Sequence, residues 1–253
     1  MINIFSEAGK QRELQRLLRL GLKFERALSK KLTAVINKQY ARQAGYLNRG
    51  IIDVGLAVTS YRSEMEEIME KHYLAVGHTY GQEAIDQAKS IRGVLITKKP
   101  SSDFADAIKW WAKHWAAEKI KDINSVTKSK LKRIITNGAE AGLDFQSLAK
   151  KVLSTGKIQN PVRAEKIART ETHTASVYAT HEGMVATGLV LNKEWVAMND
   201  DRTRDTHKEA HGQTVPINGF YKVGGEIMAR PGDPTASPEN IINCRCVELY
   251  KTK

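Results

Sequence analysis

Proline placement constrains this chain more than any other feature. Five of its six prolines lie beyond residue 160, and four of those lie beyond residue 215. A chain nearly free of proline for its first 160 residues can build long helices, whereas one that meets Pro and Gly every few residues cannot. The apolar spacing agrees. From Glu7 to about Leu47, Leu14, Leu17, Leu18, Leu22 and the stretch from Phe24 to Leu28 recur near helical intervals with basic residues between them. Gly50 and Asp53 interrupt, and a second helical run covers roughly 60–92. Pro100 in "KKPSSDF" breaks the chain, with Ser102 or Asp103 as the cap of a third helix. In that helix Phe104, Ile108, Trp111 and Trp115 form one stripe, read as core or subunit contact rather than as a base-stacking surface, and Trp110 lies off it.

Asn137-Gly138 and Gly142 are read as a break between helices, and Asp144 as the cap of residues 145–153. "STGKIQNP" reads as a turn. Asn160 then caps, and Pro161 opens, a long helix that Gly188 ends after about Thr187. Beyond it "LVLNKEWVAM" is strand-like, Asn199–Arg204 is a polar turn, and His207–His211 is a short helix closed by Gly212. "GQTVPI", "FYKVGGEIM" and "CRCVELY" complete a set of short strands joined by Gly/Pro-rich loops. The fold class expected is α+β: a basic, mostly helical region over 1–157, then a compact α+β module over 158–253 with a long helix and short strands.

Charge narrows the partners. Residues 1–50 hold eleven Lys/Arg against three Asp/Glu, which is +8 of the chain's net +12. A basic arm on a nearly neutral body fits a polyanion such as DNA, with Lys10, Arg12, Arg16, Arg19, Lys23, Arg26, Lys30 and Lys31 as the phosphate contacts; the plainer alternative is a solvated helix face. No apolar run approaches the roughly 18–20 residues needed to cross a bilayer, so a membrane partner is not expected. The opening "MINIFSEAGKQRELQ" lacks the apolar core of a secretory signal. The expectation is a chain made and kept in a cytosol-like compartment, or moved by a route that needs no signal.

The only two cysteines, Cys244 and Cys246, are one residue apart. On a strand, residues i and i+2 stand roughly 6.5–7 Å apart, at the limit for a disulfide, whose Cα separation is usually about 5.5–6 Å. Two thiolates on one face can instead grip a metal. His207 and His211, at i and i+4 on one helical turn, would complete a tetrahedral Cys2His2 zinc set. Simple packing of both thiols is the competing reading. Enzyme signatures are incomplete: "HKEAH" is not H-E-x-x-H, and "HKE" matches the H-x-E of zinc deaminases while "NCRC" departs from P-C-x-x-C. Neither G-x-S-x-G nor a Walker-type loop occurs.

The ordered set "IARTETHTASVYATHEGM", "KEWVAMNDDRTRDTHKEAHGQTV" and "MARPGDPTASPENIINCRC" resembles the Mu F-like minor head proteins of tailed bacteriophages, over about residues 130–250. The shared elements fall on Arg169–Glu171, Trp195, Asp201–Arg202–Thr203, His207, His211–Gly212–Gln213, Pro231–Pro234 and Asn243–Cys246. The family commonly carries Asp or Glu where this chain has His211.

The resemblance implies a minor capsid component acting in head morphogenesis near the portal vertex. Its partners would be the portal protein, capsid or scaffolding proteins and DNA. Its place would be the virion interior, with host cytoplasm during assembly. It further suggests that Arg169, Glu171, Asp201, Arg202, His207 and Arg245 form a buried polar network serving the fold rather than catalysis. Arg245 would lie opposite two reduced cysteines on a C-terminal strand and pair with Glu171 or Asp201. The alternative function is a zinc-dependent hydrolase or deaminase delivered with the genome.

Overall fold

A computed structural model describes residues 6–89 and 102–252. Four long helices dominate: α1 (Glu7–Leu47), α3 (Arg62–Lys89), α4 (Ser102–Glu140) and α5 (Phe145–Ala186), with the short α2 (Val54–Thr59) between the first two. The break in "KKPSSDF" and its capping side chains lie outside the described residues. Gly50 turns the chain out of α1 at φ +72. Asp53 then accepts the Leu56 N–H (2.8 Å) to start α2, a helix that apolar spacing alone did not reveal.

Two expected breaks are helical. α4 continues through Asn137-Gly138, because a side chain at 138 would collide with Leu148 (2.3 Å) and the glycine is there for close packing; the chain turns at Gly142 (φ +75). Asp144 caps α5 by accepting the Ser147 N–H (2.7 Å). α5 then runs unbroken through "STGKIQNP", with Pro161 inside it. Neighbours override the proline. Gly156 leaves room for the Tyr40 ring, which a Cβ there would meet at 2.7 Å, and fully buried Asn160 donates from Nδ2 to Asn37 Oδ1 (2.9 Å). Residue 157, the end of the expected helical region, therefore falls within α5.

Among the described residues, one compact unit comprises 26–72 and 110–168. Its core is apolar, with Leu32, Ile36, Tyr40, Val58, Met65, Leu131 and Val152 nearly inaccessible. A few polar side chains cross it. Gln39 donates to Val58 O (3.0 Å) and Asn124 Oδ1 (2.9 Å), and Arg163 to Thr127 Oγ1 (2.8 Å) and Ile123 O (2.7 Å). Trp111 and Ile108 of the aromatic stripe are buried, while Trp110 is exposed and stacks on His114.

The second unit comprises 6–25, 73–89, 102–109 and 169–252. Its helices approach closely at glycine: a Cβ on Gly183 of α5 would meet the Gly81 carbonyl of α3 at 2.6 Å. It also holds an antiparallel sheet ordered β2-β1-β5, from β1 (Leu191–Val196), β2 (Thr214–Pro216) and β5 (Val247–Thr252). A hairpin of β3 (Tyr221–Val223) and β4 (Glu226–Met228) turns at Gly224-Gly225, both with positive φ as a tight two-residue turn requires. The short helices α6 (Asp205–Ala210) and α7 (Pro238–Ile241) complete it.

Central β1 is covered on both faces. Lys193 and Glu194, neighbours on opposite faces, are both almost inaccessible. Lys193 Nζ sits 3.2 Å from Glu248 Oε1 and donates to Ala229 O (2.5 Å), and Glu248 accepts the Tyr250 hydroxyl (2.6 Å). Glu194 is held between Lys10 (2.5 Å) and Lys251. Burial pushes the Lys193 ammonium down, partly offset by Glu248. Burial would raise the Glu248 carboxyl, but His181, Lys193 and Tyr250 hold it below its usual range.

Candidate metal centre

Cys244 and Cys246 precede the strand on which they were expected. After α7, Asn243 takes a left-handed conformation (φ 57), and the Cys244 N–H donates to Ile241 O (3.1 Å), which makes a turn. The Cys246 carbonyl is taken by His173 Nε2 on α5 (2.7 Å), and the ladder begins one residue later at Val196–Val247. Both cysteines are reduced and buried. They pack in a cluster with Trp195, Ala210, Tyr221 and Met228.

α6 delivers His207 to them. The ring is 1% exposed, with Nδ1 at 3.3 Å from Cys246 Sγ and 3.7 Å from Cys244 Sγ. Its other nitrogen, Nε2, faces Asn240 Oδ1 at 3.3 Å, and Asn240 Nδ2 donates to Glu226 Oε1 (2.9 Å). A carboxylate accepts only, so the amide is oriented with its oxygen toward the histidine. Nε2 then carries the proton, and the Nδ1 lone pair faces both sulfurs. Trp195 crosses the His207 ring edge-on at 5.6 Å. Its buried indole N–H meets no partner at hydrogen-bond geometry and lies against Cys246, where it favours a negative sulfur. The hydrogen bond from Cys246 draws the Cys244 thiol well below its ordinary range against burial, with His173 and His207 helping. Cys246 is correspondingly raised by that same bond and by burial.

Among the described residues, His207, Cys244 and Cys246 have ligand atoms within 4.8 Å of one another. His211 is elsewhere: its Nδ1 accepts the Ala197 N–H (3.2 Å) and its Nε2 donates to Glu7 Oε2 (3.0 Å). Both nitrogens are engaged, which removes it from the expected four-ligand set. Glu209 is exposed on α6 whereas His207 is buried. Two residues apart on a helix, they face different ways, so the H-x-E pattern does not bring a carboxylate to the sulfurs.

The motif residues do not form one buried network. Arg245 makes a two-pronged pair with Asp200 (2.6 Å for each bond), and neither Glu171 nor Asp201 is its partner. The Arg245 guanidinium holds the Asp200 carboxyl well below its usual range. Glu171 accepts from Tyr73 Oη (2.7 Å), Arg169 reaches Asn243 Oδ1 (3.4 Å), and Asp201 and Arg202 are exposed. Gly212 carries the positive φ (+83) that ends the α6 turn. A cleft of about 580 Å³ opens beside Cys244 and is flanked by Arg169, Arg202, Arg204, Arg245 and Glu25. Sequence reading missed Lys193, Glu194, Glu248, Asp200, Asn240 and Glu226. Opposite charges on two paired strands were the only signal for the first three.

On α1, Arg12, Arg19, Lys23, Arg26 and Lys30 are exposed. They follow one another at intervals of seven, four, three and four residues, which is one helical face. That stripe is about 27 Å long. Lys10 does not belong to it: the side chain is buried and paired with Glu194 and Glu7, so no phosphate can reach it without breaking both pairs. Arg16 is engaged by Glu13 (2.8 Å) and Glu83 (2.8 Å), and Lys31 is exposed but turned off the stripe.

Residues 129–249 match the family described as Phage Mu protein F like protein. That segment is similar to the Mu F-like family. Among curated proteins, the NAD(+)--arginine ADP-ribosyltransferase EFV of Enterococcus faecalis is 30% identical over 90 residues, 34% of this chain. The chain covers 18% of that relative's length. No solved structure matches. No helix among the described residues is long and apolar enough to cross a membrane.

Proposed function

We propose that this Mu F-like protein is a minor component of the phage head, bound near the portal on the inner side and acting in head assembly and in DNA packaging or delivery. The observation that carries the head assignment is the family match over 129–249. Portal, capsid or scaffolding proteins and the packaged genome are the partners, and host cytoplasm is where assembly begins. The division proposed takes 1–157 as the basic helical arm and 158–253 as the Mu F-like part.

The arm's DNA contact is the exposed stripe Arg12, Arg19, Lys23, Arg26 and Lys30, which meets phosphate without reading sequence. The zinc hydrolase or deaminase alternative gains nothing from Glu209, which stands away from the sulfurs on an exposed face. Replacing the five stripe residues with glutamine tests the DNA reading. The slope of log binding constant against log salt should fall by about 0.9 for each phosphate that is no longer neutralised. An unchanged slope would assign the stripe to a protein partner instead.

A further inference from the structure

We propose that His207 Nδ1, Cys244 Sγ and Cys246 Sγ form a zinc site, with one further position taken by solvent or an exogenous ligand. The donor set is imidazole and two sulfurs, the combination zinc prefers over harder cations. Spacing supports it. Zinc–sulfur bonds of about 2.3 Å and a zinc–nitrogen bond of about 2.0–2.1 Å at tetrahedral angles put sulfur and nitrogen about 3.5 Å apart. The two observed separations, 3.3 and 3.7 Å, bracket that value.

The surroundings are those of a ligand held for metal. Glu226 orients Asn240, Asn240 Oδ1 accepts the His207 Nε2–H, and the lone pair is thereby committed to Nδ1. A zinc ion takes electron pairs from all three atoms. The thiol protons leave to solvent as it binds, so retention strengthens as pH rises. The thiolate sulfur also gives the unpartnered Trp195 indole N–H an acceptor. His211 plays no part, since both of its nitrogens are already bonded.

The site is independent of the DNA reading, and the test uses the full chain. Zinc per chain is measured after loading and dialysis against metal-free buffer, and affinity by competition with a chromogenic chelator. One zinc per chain is expected. Cys244→Ser combined with Cys246→Ser should abolish retention, Asn240→Ala should weaken it about 10–100-fold, and His211→Ala should leave it unchanged. Because the double variant can fail to fold, the parent is also loaded with cobalt(II). Intense visible bands of a tetrahedral site and a near-ultraviolet sulfur-to-cobalt transition are expected. A folded parent that retains no zinc, a cobalt spectrum without the sulfur transition, or a His211→Ala loss equal to that of His207→Ala would overturn the proposal.

Discussion

Residues 26–72 with 110–168, and residues 191–252, reach burial by opposite means. The first region lays long helices against one another with Leu, Ile, Met and Tyr, and the amides it buries, such as Gln39, meet neutral partners. The second has strands of three to six residues and helices of four to six. It buries Lys193, Glu194 and Glu248, and also His207 and two thiols. Long helices satisfy their own backbone and need only an apolar face. Short elements joined by loops leave more polar groups to be answered by side chains, so the small region depends on specific partners where the helical one depends on area.

The largest effect expected from breaking this contrast is at Glu248. Glu248→Gln leaves the Lys193 ammonium buried without its counter-charge and should cost about 3–5 kcal/mol in urea unfolding of the full chain. Adding Lys193→Met should recover most of the loss. Were the single change nearly neutral, the charged pair would not be organising the sheet.

In the helical region the largest pH dependence should come from His72. Burial, with Lys31 adding, lowers His72 from an ordinary 6.5 to about 3. The folded chain keeps this ring neutral while the unfolded chain protonates it. Its stabilising contribution is therefore complete above about pH 6.5 and is lost as pH falls toward 3, at about 1.4 kcal/mol per pH unit. In His72→Phe that part of the slope should vanish. A variant with the parent's pH profile would place the sensitivity elsewhere.

Much of the fold could be read from periodicity and turn residues. α1 spans the expected Glu7–Leu47, Gly188 follows the end of α5, and Gly212 closes α6. What escaped depends on tertiary partners. Pro161 looked like a helix start because its local preference is strong, yet Tyr40 and Asn37 hold that stretch helical. Lys10 looked like a free cation because nothing adjacent in sequence marks Glu194 as its partner. At the candidate centre, residue types were legible and geometry was not. C-x-C suggested a strand, whereas a left-handed Asn243 and the His173 bond to Cys246 O place both sulfurs in a turn before β5. His211 matched by spacing alone, and its bonds to Glu7 and Ala197 take it away.

The central claim is that specific partners at His207, Cys244 and Cys246, rather than buried area, hold the C-terminal region together. Amide hydrogen exchange of the zinc-loaded full chain, before and after a strong chelator, tests it most directly. The account predicts faster exchange at 195–197, 205–212 and 240–247, with 26–72 and 110–168 unchanged. Unaltered protection at 240–247, or a loss spread evenly through the helices, would contradict it.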